Sequence, residues 1–392
     1  MDVRAIVLIG FPCELNDQPS SAPESLENFA GVPFGLLPVL GQPVLHRVVD
    51  RLKSAGIDSF SVLNAAEPTL PMVEDARRGD IKWQSVSSSQ AWRAAEEEFD
   101  ALARSGAELV LVLRLGPYAE VEIDPLLQFH LDQRNHTTQV VDADGPLDFF
   151  VLSGSRRNDA AFLLRNKLGT MRVQTRPFET RGYVNRLQTT ADLRRLTVDS
   201  LVQKTMIQPC GEQFRPGVWV GPGAKIERNV RLVAPCYVGP SARVRSGSLI
   251  TRGSSIEHHS VVDRGTVVEG STLLPLSYLG AGLDLVHSVV GFKRIASVKY
   301  SAELETNDSS LVSTVPASSI WRTVHDASRL VTFVPHQIMT KLFGGRKLQN
   351  ARPCPESADK AFDPRAVARP VAQECQPLTS SVVTQMREYG NQ

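Results

Sequence analysis

From Val218 to Leu274 the chain reads VWVGPG AKIERN VRLVAP CYVGPS ARVRSG SLITRG SSIEHH SVVDRG TVVEGS TLL. The third residue of every block is aliphatic: Val220, Ile226, Leu232, Val238, Val244, Ile250, Ile256, Val262, Val268 and Leu274. The first is mostly small, as in Ala224, Cys236, Ala242, Ser248, Ser254, Ser260, Thr266 and Thr272. Glycine, proline and charged residues fill the remainder. A period of six suits neither a helix nor a long alternating strand. It predicts a solenoid that turns a corner at each block, with three blocks to a triangular coil. The aliphatic residue points inward and the small one lies near the corner. One coil cannot cover its own apolar interior, so each is stabilised by its neighbours. An antiparallel meander places turns about every 8–12 residues instead.

The totals bound the rest. The chain has 392 residues, 42% hydrophobic and 22% charged, enough for two soluble globular domains and a tail. A formal net charge of +1 gives no field for nucleic acid or anionic lipid, so neither is expected as a partner. Five cysteines, Cys13, Cys210, Cys236, Cys354 and Cys375, are scattered without a C-x-x-C pair. That pattern argues against a disulfide framework or a zinc site and for a reducing, cytoplasmic location. The opening apolar run, Ala5–Ile9, is too short for a signal peptide. No apolar stretch approaches the roughly 20 residues of a transmembrane segment.

Ahead of the repeats, strands alternate with helices. Val3–Ile9, Ser59–Leu63 and Glu108–Leu113 read as buried strands. Val44, Leu45, Val48, Val49 and Leu52 share one helical face, and Ala91–Arg104 and Pro125–Gln133 read as helices. Residues 1–203 are therefore expected to form an α/β domain around a parallel sheet covered on both faces. Residues 217–315 form the repeat domain. Phase is expected to slip at Leu279–Leu285, with a loop pushed out near Gly280 and Gly282. Residues 318–345 have an amphipathic helical pattern, and residues 351–392, rich in Pro, Ser and Gln, read as mostly disordered.

The hexad run resembles that of hexapeptide-repeat proteins, which implies a left-handed parallel β-helix. Together with Leu37-Pro38-Val39-Leu40-Gly41-Gln42-Pro43-Val44-Leu45 and Arg51-Leu52-Lys53-Ser54-Ala55-Gly56-Ile57 behind the first strand, the chain resembles the sugar-1-phosphate nucleotidyltransferases that carry such a β-helix. Weaker echoes are Leu126–His130, Gly182-Tyr183, Thr189 and Asp192. The fold implied is a Rossmann-like nucleotide-diphospho-sugar transferase domain. The activity implied is attack of a sugar phosphate on an NTP α-phosphate, with Mg²⁺ as cofactor.

That chemistry needs backbone N–H groups to hold phosphates, cations to neutralise developing charge, and carboxylates to hold the metal. The Gly-rich signature that follows the first strand in the family reads Gly10-Phe11-Pro12-Cys13-Glu14-Leu15 here. One glycine remains, and Glu14 would repel a triphosphate. Phe34 stands at the family's lysine position. Gly116 and Arg186 stand where the two metal carboxylates belong, and Ser88-Ser89-Gln90 replaces the segment near the base pocket. The expectation is a retained fold with degenerate chemistry: a binding or regulatory subunit of sugar-nucleotide or polysaccharide metabolism. Its nucleotide or NDP-sugar would contact Gly10 and Arg186, and it would bind Mg²⁺ only if transferase activity survives. An active transferase with altered residues is the alternative.

A second alternative is a hexapeptide acyltransferase using His258, His259 or His287 as general base; as polar turn residues they would do no chemistry. Asp142, Asp144 and Asp148 lack the spacing of a calcium loop and read as a solvated loop. Arg156-Arg157 and Arg194-Arg195 read as solvated helix or loop charges, with contact to a phosphate as the alternative for either pair. Partners expected are further copies of the chain, assembled through the β-helix or the helix after it, and an active paralogue.

Overall fold

The computed structural model describes residues 1–11, 26–65, 81–166, 168 and 176–315. All belong to one compact unit, Met1–Leu330. The helical pattern at 318–345, the tail at 351–392 and the residues Pro12, Cys13 and Glu14 lie outside the described residues.

The first part runs β1 (Val3–Ile9), α1 (Leu26–Ala30), β2 (Pro38–Val39), β3 (Gln42–Pro43), α2 (Val44–Ser54), β4 (Phe60–Asn64), β5 (Lys82–Ser85), α3 (Ala91–Arg104) and β6 (Leu109–Leu115). It continues through β7 (Tyr118–Ala119), α4 (Ile123–Asp132), β8 (Thr137–Asp142), β9 (Gly145–Ser153), α5 (Arg157–Arg165), β10 (Phe178–Glu179), β11 (Val184–Asn185) and α6 (Thr190–Leu201). The central sheet has the order β10-β8-β9-β6-β1-β4-β5. Its β6-β1-β4-β5 half is parallel. The expected wholly parallel sheet is corrected by β9, which runs antiparallel to both β6 and β8. The tight Asp142-to-Gly145 connection allows no crossover, so β8 and β9 close as a hairpin.

Side chains alternate across the sheet. Ala5, Val7, Leu111 and Leu113 pack with Leu45, Val49 and Leu52 of α2 on one face. Ile6, Leu8, Val110 and Val112 pack with Trp92, Ala95 and Phe99 of α3 on the other. Because both faces are buried, the strands are near-continuous apolar runs, which is why the sequence located them.

From Val218 the chain circulates through three ladders of short parallel strands. Val218–Val220, Cys236–Val238, Ser254–Ile256, Thr272–Leu273 and Ser288–Gly291 form the first. Lys225–Ile226, Arg243–Val244, Val261–Val262 and Ser277–Leu279 form the second. Arg231–Leu232, Leu249–Thr251, Val267–Glu269 and Asp284–Val286 form the third. This order is compatible with a parallel β-helix. Val238, Val244, Ile250, Ile256, Val262 and Val268 are fully buried in one cluster. The small residue supplies the glue between coils: the hydroxyls of Ser248, Ser260 and Thr266 donate to the carbonyls of Asp263, Leu274 and Gly280 at 2.8, 2.7 and 2.6 Å. A buried hydroxyl is thereby satisfied at each corner.

Three expectations for the repeats are corrected. Val220 is only half-buried, and Ile226 is 38% exposed because the strand Lys225–Ile226 ends its ladder and has no strand beyond it. The phase slip is not at Leu279–Leu285; both residues are buried in register. It falls at the corners of Gly270 and His287, where the left-handed residue comes one position early. Ile256 consequently pairs with Leu273, so Leu273 points inward and Leu274 outward.

Outward-facing Tyr237, Leu274, Val289 and Ala296 join Phe29, Phe34, Leu37, Leu40, Tyr118 and Leu196 in a shared core between the coil and the α/β part. Antiparallel strands cover the coil's ladders: Glu212–Arg215 at the start, Arg294–Ser297 and Val312–Thr314 at the end. Covered edges present fewer unpaired backbone groups to other chains.

Candidate functional site at the sheet edge

The chain leaves β1 for β4 and β5, then returns to β6 on β1's other side. Ligands of open α/β sheets bind at such a reversal, at the carboxyl ends of the strands. Ile9 is paired with Leu115, so Gly10 and Gly116 follow side by side at that edge. Ala65, just past β4, also lies there, since its N–H donates to the Ile9 carbonyl at 2.9 Å. Ser88 donates to the Ala65 carbonyl at 3.2 Å, which brings the Ser88–Gln90 segment to the same edge. Topology thus gathers Gly10, Gly116 and Ser88 from three separate stretches of sequence.

The side chains at this edge are already engaged. Arg114 pairs with Asp148 and reaches the Phe11 carbonyl at 3.4 Å. Arg186 pairs with Asp142 and donates to the carbonyls of Pro146 at 3.0 Å and Gly145 at 3.3 Å. Its Nε is buried with no partner. Of the acidic trio only Asp144 is exposed as a solvated loop residue: Asp142 and Asp148 serve the two arginines, and Asp142 also accepts the Asp144 N–H at 3.1 Å. Asp142 already neutralises Arg186, so a phosphate there would compete with that carboxylate. Phe34 faces no site; it is 2% exposed within the apolar cluster shared with the coil. Its neighbour Gly35 packs so closely that an added Cβ would lie 2.9 Å from Leu115 Cδ1. A mainly apolar cleft opens beside Leu115, lined by Leu52, Leu113, Ile123, Leu147 and Phe149, with Arg51 at its wall. Arg51 donates to the carbonyls of Ala119 and Val121 at 3.0 and 2.6 Å.

A divalent metal needs oxygen ligands that Gly116 and Arg186 do not supply, and Arg186 would repel it. Among the described residues no group of three His, Cys, Asp or Glu side chains converges as a metal site.

The coil histidines are not brought together. His258 and His259 flank the corner after Ser254–Ile256, their rings 5.6 Å apart, while His287 occupies a different corner, after Asp284–Val286. His259 and His287 hold left-handed backbone angles of 57° and 45°, as corner residues must. His258 Nε2 is shut away without a partner, and burial lowers its pKa to about 4, which makes it a weak base near neutral pH. His130, within an echo of the family pattern, is likewise buried, bonded to Thr138 and Ser153 at 2.8 and 3.0 Å.

Sequence reasoning missed two residues that tie the coil to the α/β part. Glu257 is 1% exposed and accepts the N–H groups of Leu40 and Gly41 and the Ser255 hydroxyl, each at 2.9 Å. Burial raises its pKa to about 7 against those hydrogen bonds and the nearby Arg47. Arg194 is not solvated as expected; it is 7% exposed and donates to the Gly253 carbonyl and the Thr272 hydroxyl at 2.8 and 3.0 Å. No signal in the sequence marked either residue, because each partner lies in a remote segment. By contrast, Thr189 and Asp192 form a capping box at the start of α6, a pairing that local spacing does encode.

No family model matches the chain. It is similar to a UTP–glucose-1-phosphate uridylyltransferase from Synechocystis, with 30% identity over 106 residues. The match spans 27% of this chain and 27% of that protein. Among the described residues, no helix is long and apolar enough to cross a membrane.

Proposed function

We propose that the chain is a nucleotidyltransferase-like protein that binds a nucleotide or NDP-sugar without making one, and acts as a binding or regulatory subunit in sugar-nucleotide metabolism. In this reading residues 1–203 are the transferase-like domain and residues 217–315 are a left-handed β-helix. The partial similarity to a uridylyltransferase supports the class. The observation that carries the loss of chemistry is the Arg186–Asp142 pair at the sheet edge. The position that should hold a metal carries a cation instead, and that cation is already committed. Gly116 offers no side-chain ligand, and Phe34 is buried among apolar side chains. Removing one group that stabilises the transition state costs about 10²–10³ in rate, and these losses overlap in role. Arg186 gives a ligand phosphate a partner that does not need a metal, at the expense of Asp142. Copies of the chain and an active paralogue are the partners this role calls for.

The test has two measurements. Pyrophosphate release is followed across the common NTPs and sugar 1-phosphates with Mg²⁺ or Mn²⁺, and none is expected. Calorimetry with NDP-sugars, with and without Mg²⁺, is expected to show weak binding that the metal does not strengthen. Turnover of roughly 1–10³ s⁻¹, lost on altering the Phe11–Gly35 segment, would sink this reading in favour of an active transferase.

A further inference from the structure

Helix α6 lies along the coil and leaves a cleft of about 320 Å³ lined by Arg194, Arg195, Asp199, Gly270, His287 and Val298. Arg194 is the unusual member. It is 7% exposed, yet among the described residues no carboxylate pairs with it. Only its Nη1 is engaged, by the Gly253 carbonyl and the Thr272 hydroxyl. Among the described residues its Nε and Nη2 make no hydrogen bond, neither is among the fully buried polar atoms left without a partner, and the side chain lines the cleft. Burial lowers its pKa to about 10, which leaves it charged at neutral pH. A buried cation without a counter-ion is costly, and such charges are ordinarily paired.

With Arg194 counted, the lining carries two arginines against one aspartate. Arg195 is 3.6 Å from Asp192 and mostly exposed. Asp199 is neutralised by Lys204 at 3.2 Å and accepts from the Tyr183 hydroxyl at 2.9 Å. His287 is exposed, and its ring stands over Gly270, where an added Cβ would lie 2.7 Å from Nδ1. Two guanidinium groups and an imidazole converging from a helix and a coil corner suit a dianion, because arginine presents paired donors that match phosphate oxygens. The volume is that of a small-ligand site.

We propose that this cleft binds a phosphate-bearing small molecule, with Arg194 as its buried anchor and Arg195 and His287 as its outer donors. The site is separate from the sheet edge and does not depend on how that edge is read. The cleft touches both α6 and the coil, so an occupant would fasten one to the other.

The experiment is calorimetric titration of the full chain with inorganic phosphate, pyrophosphate, glucose 1-phosphate and UDP at constant ionic strength. At least one arm is expected to bind saturably. Equal affinity for inorganic phosphate and the organic phosphates would identify the free ion, and tighter binding of an organic arm a phosphorylated metabolite. Either supports the site. Arg195→Ala and His287→Ala, both at exposed positions, should melt like the parent and weaken that arm about tenfold, the loss expected for one charge-assisted hydrogen bond. Arg194→Lys should weaken it at least as much. Lys225→Ala, exposed and outside the cleft lining, should leave it unchanged. The proposal is overturned if no arm binds saturably up to about 10 mM, or if binding survives all three cleft variants.

Discussion

Replacing Glu257 by Gln isolates the electrostatics of the contact between the coil and the Leu40-Gly41 turn. The carboxylate is 1% exposed and accepts three hydrogen bonds at 2.9 Å. Its pKa is raised from 4.5 to about 7, first by burial, against the three donors and Arg47; Tyr237 and Cys210 stand nearby. The native state therefore holds this proton more tightly than the unfolded chain does. The stability so gained is fully present below about pH 4.5 and is lost as pH rises through about 7. A shift of this size corresponds to roughly 3 kcal/mol. Glutamine does not titrate, but its one carbonyl oxygen keeps only the Leu40 N–H and the Ser255 hydroxyl and turns its amide toward the Gly41 N–H. Glu257→Gln should therefore start about 1–3 kcal/mol below the parent near pH 5 and gain on it by up to ~3 kcal/mol toward pH 8. Glu257→Ala strands three donors at every pH and should cost several kcal/mol throughout, at about 1–3 kcal/mol per unsatisfied buried group. Urea unfolding of the three proteins at pH 5, 6, 7 and 8 reads this directly. Parallel pH profiles for the parent and Glu257→Gln would refute the reasoning, because they would mean that Glu257 titrates alike in both states.

Ile250→Asp, fully buried in the coil, should cost several kcal/mol and expose the coil to protease, whereas Ile226→Asp at the open end of its ladder should shift the melting temperature little; equal melts would deny the burial difference. Gly41→Ala should be among the worst single changes in the α/β part, since φ is +87° and an added Cβ would overlap the Tyr237 hydroxyl and lie 2.9 Å from Cys210 Cβ. Gly56→Ala, also at positive φ but with open space around it, should cost only about 1–2 kcal/mol in the same unfolding assay. Cys236, fully buried with its pKa pushed up to about 11 by burial, should stay unlabelled by a thiol reagent in native protein and react after unfolding, as site-resolved mass spectrometry would report.

The sequence by itself determined the elements whose cause is local. Apolar runs located β1, β4 and β6, helical periodicity located α2 and α3, and the six-residue period located the inward positions from Val238 to Val268. Resemblance to a family pattern singled out Gly10 and Gly116 as site positions, and the parallel pairing of β1 with β6 lays the two at one edge of the sheet. The shortened corners were legible in principle, since Gly265 to Gly270 and Gly282 to His287 are steps of five where the corners between and just before them step by six. Tertiary structure alone decided the partners of the charges. Arg186 meets Asp142 across 44 residues, Arg194 meets Thr272 across 78, and Glu257 meets Leu40 across 217. Periodicity reports only which face of its own element a side chain takes. Whether a charged residue then stays in water, finds a counter-ion or is buried without one depends on which remote segment the fold lays against that face, and that choice made Arg186 an occupied cation and Arg194 an open one.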